Sequence, residues 1–289
     1  MPTAHRYFLH ARSPLHAGTG QGTGVIDLPI AREKATGIPY LPSSSVKGTL
    51  RDSDFVTGDK ELIFGPPTDR ADEHAGAAQF ADARLLLLPV RSLRGTFAWL
   101  TSPYILNRFA REIRDTGGTP PPAVAVAEGQ VCLVTSAQAA IVYQSQQVVI
   151  EDLDMQASAS DDIQQWATWI GTHAFPNDKP YQSMLMERLC VVNDNLFSFV
   201  LTTATEITAR IQLDSATKTV KEGALWYEEA LPVETLLAGV LLVDPPRKHA
   251  SRAQEVLTGL QGASTKTLQF GGKATVGRGL CRVQINGGK

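Results

Sequence analysis

Strand-like and helical stretches follow one another irregularly along this chain, and their order restricts the fold more than any other feature. Apolar runs typical of buried strands occupy residues 6–12, 83–93, 131–134, 141–142, 148–150, 236–243, 267–270 and 280–285. Apolar residues at helical spacing predict helices over 43–55, 102–115, 161–174 and 250–260. Because strands and helices do not alternate one by one, as they do in a parallel sheet, the sequence predicts an α+β fold.

Two later segments are predicted to form pairs of strands. Residues 189–211 contain two apolar stretches around a polar turn at 192–196. Residues 207–223 alternate in polarity and then break into the mostly polar stretch 218–222, which predicts an extended hairpin.

The stretch from His16 to Arg51 carries the strongest functional signal. Glycines at positions 18, 20, 22 and 24 do not fit the dinucleotide fingerprint, because Thr23 and Val25 stand where a third glycine is needed. Residues 18–42 are therefore predicted to form a long loop, and such loops are either functional or simply mobile.

Asp27 is an isolated acid in the apolar frame Val25–Pro29. The commonest role of a loop aspartate is a hydrogen bond within its own turn. The functional alternative is a catalytic carboxylate, which could bind a metal ion only if substrate oxygens and water completed the shell. His16 is a candidate proton shuttle, although a lone histidine is more often structural.

Basic residues and glycines in two places predict contacts with phosphate. Lys47 and Arg51 stand four residues apart and share a face of the helix for which Ser43–Ser45 offer N-caps. The segment Gly271–Gly279 only superficially resembles a P-loop, because Arg278 and Gly279 replace the required Lys and Ser/Thr. It is predicted to be either a tight turn or a glycine loop that lies against a phosphate backbone.

Composition excludes several classes of protein. A formal net charge of −2 excludes a polyanion binder that acts through overall charge, so any such site must be a local cluster of Lys and Arg. Three cysteines without CxxC spacing argue against a disulfide framework or a thiolate zinc site. The longest apolar runs are too short to span a bilayer, and the first residues lack a signal-peptide core, so we expect a cytoplasmic protein without membrane contact.

Seven motifs in fixed order resemble the RAMP superfamily of CRISPR proteins, which serve antiviral defence. They are HAGTG, GVIDLPIARE, TGIPYLPSSSVKGTLR, IFG, FADARLLLLPVRSLRGTFAWLTSP, GALWYEEALP and LQFGGKATVGRG. More narrowly, they are similar to the repeating backbone subunit of the type III-B (Cmr) effector complex. The resemblance covers nearly the whole chain, except residues 120–186.

The resemblance implies a single RAMP domain over residues 1–289. Its palm has the ferredoxin-like βαββαβ core of an RNA-recognition motif, with a finger insertion at 16–42 and a β-hairpin thumb at 203–231. It also implies partners: a guide crRNA, a single-stranded target RNA, further copies of the chain in a helical backbone, and other Cmr subunits.

The resemblance further implies a metal-dependent endoribonuclease that is active within the assembled complex. Asp27 matches the family's catalytic aspartate and is the expected ligand of Mg²⁺ or Mn²⁺. His16, Tyr227 and Glu228 are weaker candidates for catalysis. The matching RNA-binding residues are Lys47, Arg51, Gly271, Gly272, Lys273, Gly277, Arg278 and Gly279.

In this interpretation the 2′-hydroxyl of RNA is the nucleophile, and cleavage leaves a 2′,3′-cyclic phosphate and a 5′-hydroxyl. Two alternatives stay open. The chain could be a non-catalytic RNA-binding scaffold of a type III complex, or a related RAMP that processes guide precursors. An enzyme that acts on small molecules is disfavoured, since no cofactor motif is present.

Overall fold

The structure is a computed structural model that describes residues 2–22, 24–70, 72–245 and 247–287. The strands in these residues are β1 (Thr3–Ala11), β2 (Tyr40–Leu41), β3 (Ala78–Phe80), β4 (Ala83–Arg91), β5 (Phe97–Thr101), β6 (Val131–Val134), β7 (Gln147–Ile150), β8 (Leu153–Ala159), β9 (Leu189–Val192), β10 (Glu206–Leu213), β11 (Val220–Ala230), β12 (Leu236–Val243), β13 (Thr267–Gln269) and β14 (Leu280–Asn286). The α-helices are α1 (Ser43–Asp52), α2 (Lys60–Phe64), α3 (Pro103–Asp115), α4 (Asp161–Ala174), α5 (Lys179–Arg188), α6 (Asp194–Thr203) and α7 (Ala253–Gln261).

The centre of the molecule is a four-stranded antiparallel sheet in the order β14–β1–β12–β4. The strands β1, β4, β12 and β14 are, in chain order, strands one to four of a βαββαβ unit, so their order across the sheet is four, one, three, two. The helices α1 and α7 take the two helical positions of this unit. This is the predicted ferredoxin-like palm, and the predicted α+β class is confirmed. In β1, Tyr7 packs edge-on against Phe80 and the next residue, Phe8, packs edge-on against Phe109 of α3. Because neighbouring side chains of a strand point to opposite faces, both faces of β1 are covered, which explains why its residues from His5 to Ala11 are all buried.

Beyond β4 the sheet continues through β5, β9, β6, β8 and β7, with parallel pairs β5–β9 and β6–β8. The region 120–186, which matched no motif, thus supplies strands to the same sheet. It also supplies α4, whose Ile163, Trp166 and Ile170 are fully buried at the predicted helical spacing. The three cysteines are buried and free. In the part of the chain that the structure describes, we find no helix with the length and apolarity to cross a bilayer.

Strands β10 and β11 form a separate two-stranded hairpin within the predicted thumb segment. They are in register from the pair Glu206–Ala230 to the pair Ile211–Leu225, and a bulge follows. The half of the hairpin beyond Ile211 is largely exposed, so its stability depends on how its base is held.

Two predictions of strands are wrong. Residues 189–211 do not form a strand pair, because α6 begins directly after β9. The side chain of Asn193 caps α6 by accepting a hydrogen bond from the Leu196 N–H at 2.9 Å, so the polar tip is a helix start. Residues 141–142 lie in a turn rather than a strand.

The predicted serine cap of α1 is also wrong. Pro42 occupies the N-cap position, where no side chain caps the helix. The Ser43 N–H instead donates to Asp82 Oδ1 at 2.8 Å, so an acid from the loop before β4 satisfies this helix end.

Candidate functional site

Three segments meet at the base of the hairpin, and we call this place the hairpin junction. They are residues 15–32, the base of β10 and β11, and the glycine loop at 271–279. Leu15 and Leu231 exchange two backbone hydrogen bonds of 2.9 Å. The glycine loop donates a backbone N–H to the His16 carbonyl at 2.9 Å. Parts of the chain that are far apart in sequence are therefore connected directly by main-chain hydrogen bonds.

Asp27 is exposed at this junction, and its orientation is set by the hairpin. Its Oδ2 accepts the backbone N–H of Tyr227 at 2.8 Å, and the N–H of Leu28 donates to the Tyr227 carbonyl at 3.0 Å. The Gly22 N–H donates to the Asp27 carbonyl at 2.8 Å and closes the loop behind it. Oδ1 has no hydrogen-bond partner among the residues that the structure describes. The carboxylate thus bonds to a distant strand rather than to its own turn, with one oxygen free.

Tyr227 acts on Asp27 through its main chain, while its ring remains 40% exposed. The ring lies on the apolar face of the hairpin with Leu225, and Ile211 pairs with Leu225 across the strands. All three side chains are exposed in the chain alone. An exposed aromatic and aliphatic surface beside a free carboxylate is suited to stacking against a nucleobase.

His16 is buried at the centre of the junction. Its Nδ1 lies 2.6 Å from the Glu229 carbonyl, which can only accept, so Nδ1 carries the proton. A Cβ at Gly18 would lie 2.5 Å from His16 Nε2, and one at Gly272 would lie 3.3 Å from Cδ2. Both glycines therefore make room for the imidazole. The buried ring does not reach solvent, and its contacts position the loop that begins at Gly18.

Glu228 is 2% exposed and is surrounded by cations. Oε1 accepts from Trp226 Nε1 at 2.8 Å and from Lys273 Nζ at 2.9 Å, and Oε2 accepts from Arg210 Nε at 3.3 Å. Burial by itself raises the pKa of Glu228. The hydrogen bonds from Trp226 and Lys273, with the charges of Lys273 and Arg210, outweigh it and hold the pKa at about 2. The residue is ionised at neutral pH and links the hairpin to the glycine loop.

Glu229 is a junction residue that the sequence analysis missed. Its Oε1 accepts from Arg32 Nη2 at 2.6 Å and from Thr205 Oγ1 at 2.9 Å, while Oε2 accepts the Ile30 N–H at 3.0 Å. Its side chain therefore ties the segment that follows Asp27 to the base of the hairpin. Neighbouring residues of a strand face opposite sides, so Glu228 and Glu229 must each find partners of their own. Two adjacent acids within a strand were therefore the signal in the sequence.

The glycine loop owes two of its glycines to contacts within the chain. Gly271 and Gly279 have φ of +71° and +80°. A Cβ at Gly271 would lie 2.4 Å from the His16 carbonyl oxygen, and one at Gly279 would lie 1.9 Å from that of Phe270. At Gly277, where φ is +79°, a Cβ would meet only open space, so the left-handed backbone alone favours glycine there.

The two cations of the glycine loop face the hairpin. Arg278 is 6% exposed, and its Nη2 donates to Thr208 Oγ1 at 3.1 Å. Its other nitrogens lie 3.9 Å from Glu206 and Glu228, outside hydrogen-bonding distance. Lys273 is one-third exposed and is bound to Glu228. In this arrangement Arg278 holds the hairpin, and Lys273 is the loop cation with more access to a ligand.

Lys47 and Arg51 lie outside the hairpin junction. They line a cavity of about 580 Å³ between α1 and residues 64–80. Neither cation has a hydrogen bond or an ion pair within the described parts of the chain. On another face of α1, Thr49 Oγ1 donates to the Gln269 carbonyl at 3.2 Å, which places the helix beside the start of the glycine loop. The two unpaired cations at this cavity are available for phosphate groups.

The protein donors for a divalent metal ion are few. Within the described ranges, no three His, Cys, Asp or Glu side chains come together in a way that could hold a metal. Asp27 offers one free carboxylate oxygen at an exposed position. This donor set fits a divalent ion only when RNA oxygens and water supply the remaining ligands.

The model of the RAMP superfamily matches residues 8–282. This chain belongs to that superfamily. A "CRISPR system Cmr endoribonuclease Cmr4" of Pyrococcus furiosus is 35% identical, with 96% of this chain and 94% of the relative aligned. A "CRISPR system CMR subunit Cmr4" of Saccharolobus solfataricus is 24% identical over 96% of this chain and 95% of the relative.

Solved structures agree with this assignment to the RAMP superfamily. Oligomeric Cmr4 from Pyrococcus furiosus has a TM-score of 0.76 and 26% identity, covering 98% of this chain and 97% of that one. A chain of the type III-B Cmr-beta complex bound to cognate target RNA has a TM-score of 0.71 at 21% identity, over 98% and 96% of the two chains, and shows the shared fold. The resemblance to the type III-B backbone subunit that the motifs indicated is thus confirmed.

Proposed function

We propose that this RAMP protein is a backbone subunit of a cytoplasmic type III-B CRISPR effector complex. It binds a guide crRNA, packs against copies of itself and other Cmr subunits, and cleaves complementary target RNA once per subunit. The 35% identity to a Cmr endoribonuclease over nearly the whole chain supports the activity. The fold match to a complex bound to cognate target RNA supports the partners.

The observation that carries the catalytic assignment is the geometry of Asp27. Its carboxylate is exposed, one oxygen is held by the Tyr227 N–H, and the other oxygen is free. A base that is fixed by a backbone hydrogen bond keeps its position when RNA enters, and positioning is a large part of catalysis. The exposed ring of Tyr227 next to it would stack against a base displaced from the guide–target duplex.

The proposed reaction is a transesterification within the target strand. The 2′-oxygen attacks the adjacent phosphorus and forms a new P–O bond, while its proton passes to the free oxygen of Asp27. The bond between phosphorus and the 5′-oxygen breaks, and the leaving oxygen takes a proton from solvent. The products are a 2′,3′-cyclic phosphate and a 5′-hydroxyl, so no water is consumed in the cutting step.

In the alternative arrangement, the free oxygen of Asp27 is instead the one protein ligand of a Mg²⁺ or Mn²⁺ ion that binds with the RNA, and the 2′-proton passes to solvent. Such an ion would supply positive charge next to the phosphate oxygens. A chelator should then stop cleavage by the assembled complex without releasing bound target.

Single deoxynucleotides in the target test both the nucleophile and the number of cuts per subunit. We expect the assembled complex to cut a labelled complementary RNA at evenly spaced positions. A 2′-deoxyribose at one of these positions should remove that cut alone, because no 2′-oxygen is present, and the same change one nucleotide away should leave every cut. Persistence of the cut at the deoxynucleotide would exclude 2′-hydroxyl attack. Binding without any cuts would favour the scaffold alternative.

The cavity beside α1 gives a prediction about guide binding. The double substitution Lys47→Ala and Arg51→Ala should weaken crRNA binding by tenfold or more. It should also reduce the slope of log affinity against log salt concentration by about two, since each cation releases a counterion when it contacts phosphate. Arg111→Ala with Arg114→Ala, on the exposed side of α3, removes equal charge and should change affinity little. Filter binding at several salt concentrations measures both. Equal losses in the two double variants would contradict a specific role for Lys47 and Arg51.

A further inference from the structure

Arg6 is a buried arginine that the proposed function does not use. It lies in the first half of β1, whereas the hairpin junction begins after the other end of this strand. Arg6 is 6% exposed; Nη1 donates to the Ile113 carbonyl at 3.3 Å and to the hydroxyl of Thr116. Its Nε is buried without a hydrogen-bond partner. Among the residues that the structure describes, no carboxylate pairs with Arg6, so its charge has no counter-ion. Burial lowers the pKa of the guanidinium, although arginine remains charged at neutral pH.

Arg6 forms part of the wall of a cavity of about 430 Å³, which we call the Arg6 cavity. Gln261, Gln284 and Asn286 also line it, together with Trp169 and His173. Among the residues that the structure describes, none with an acidic side chain lines this cavity. The volume falls in the range of about 300–1,000 Å³ that is typical of small-molecule sites.

The polar groups of the cavity are arranged around the guanidinium. Asn286 is the cross-strand neighbour of Arg6, and its Nδ2 donates to the His173 carbonyl at 3.1 Å. The His173 ring stacks on Trp169 with ring centres 3.8 Å apart, and the Arg6 guanidinium lies 5.3 Å from the Trp169 ring centre. The indole attracts the cation but offers Nε no hydrogen-bond acceptor.

We infer that the Arg6 cavity binds a small phosphate monoester, with the Arg6 guanidinium as the principal contact. An unpaired buried guanidinium favours an anion where the described residues bring no carboxylate to the cavity, and its planar donors match two phosphate oxygens. A buried charge without a counter-ion destabilises the fold, and a bound dianion would offset that destabilisation. The imidazole of His173 and the neutral amides can accept or donate hydrogen bonds to the rest of the ligand.

Binding is tested on the full chain with two probes, inorganic phosphate and adenosine 5′-monophosphate, at constant ionic strength. Calorimetry should show saturable binding of one molecule, and the midpoint of thermal unfolding should rise with ligand concentration. Arg6→Gln should weaken binding at least tenfold. The control Arg12→Gln, which changes an exposed arginine beyond the other end of β1, should leave it unchanged. Tighter binding of the nucleotide identifies an organic monoester as the ligand, and equal binding identifies phosphate itself.

A second variant keeps the proposal testable if Arg6→Gln folds poorly. Asn286→Ala changes the cavity wall and leaves the guanidinium in place, so it should weaken binding about threefold without a loss of fold. The proposal is overturned if millimolar phosphate and nucleotide both fail to bind the unchanged chain, or if Arg6→Gln binds them as well as the unchanged chain does. It is also overturned if the substitution weakens guide RNA binding and leaves the binding of both probes intact.

Discussion

Replacing Asp27 with alanine should lower target cleavage by the assembled complex by about a thousandfold, since a positioned general base contributes roughly 10²–10⁴ to the rate. Target binding should change little, because the side chain is exposed and makes one hydrogen bond to the hairpin. The loss of that bond should cost about 1 kcal/mol of stability or less. Rates are measured under single-turnover conditions, with binding measured on the same preparation.

Asp27→Asn separates the chemistry of the carboxylate from its position. The amide oxygen can still accept the Tyr227 N–H, but the side chain can no longer take up a proton at neutral pH. If Asp27 is the base, the asparagine variant should be as defective as the alanine variant. Asp152→Ala, a substitution in an exposed turn before β8, should cut at the original rate. Wild-type cleavage by both Asp27 variants would remove the residue from the mechanism, and recovery in the asparagine variant alone would make it a positioning residue.

Local pattern predicted the elements whose stabilising contacts are close in sequence. Helix α4 spans Asp161–Ala174 as predicted, because its buried residues repeat at helical spacing. The helix α6 was mistaken for a turn and a strand, since Asn193 is suited to a hairpin tip and to an N-cap alike. Only packing against the rest of the sheet decides between them, and that packing involves distant residues.

The candidate site shows the same limit. Asp27 stood out as an isolated acid, but the hydrogen bond that orients it comes from Tyr227, two hundred residues away. The Glu229 contacts to Arg32 and Ile30 are equally remote in sequence. No local pattern gives the partner of a side chain across such a separation. The motifs therefore indicated which segments matter, and only the fold shows that Lys47 and Arg51 lie apart from the junction.

The same structure gives Glu228 a role that its position near Asp27 did not indicate. Glu228→Gln should destabilise the chain by about 3 kcal/mol at pH 7, because three cations around a buried position lose their shared anion. Lys273 and Arg210 are each one-third exposed, so water offsets part of the loss. Urea unfolding at several pH values measures the difference. Glu61→Gln removes an exposed pair with Arg70 and should cost at most about 0.5 kcal/mol.

The pH dependence of this difference identifies its cause. The pKa of Glu228 is about 2 in the fold, against an ordinary value of 4.5. Because the pKa of Glu228 is lower in the folded chain than in the unfolded chain, its ionised form stabilises the fold at pH values above the unfolded pKa. This stabilisation is lost as the pH falls towards the folded pKa. The difference in free energy of unfolding between the unchanged chain and Glu228→Gln should stay constant from pH 7 to about 4.5 and shrink from there towards pH 2. A gap that is independent of pH would mean that the carboxylate charge is not what stabilises the junction. Near-normal cleavage by Glu228→Gln complexes at low temperature would mark the residue as a structural link, because a catalytic carboxylate would lose its activity even where the fold survives.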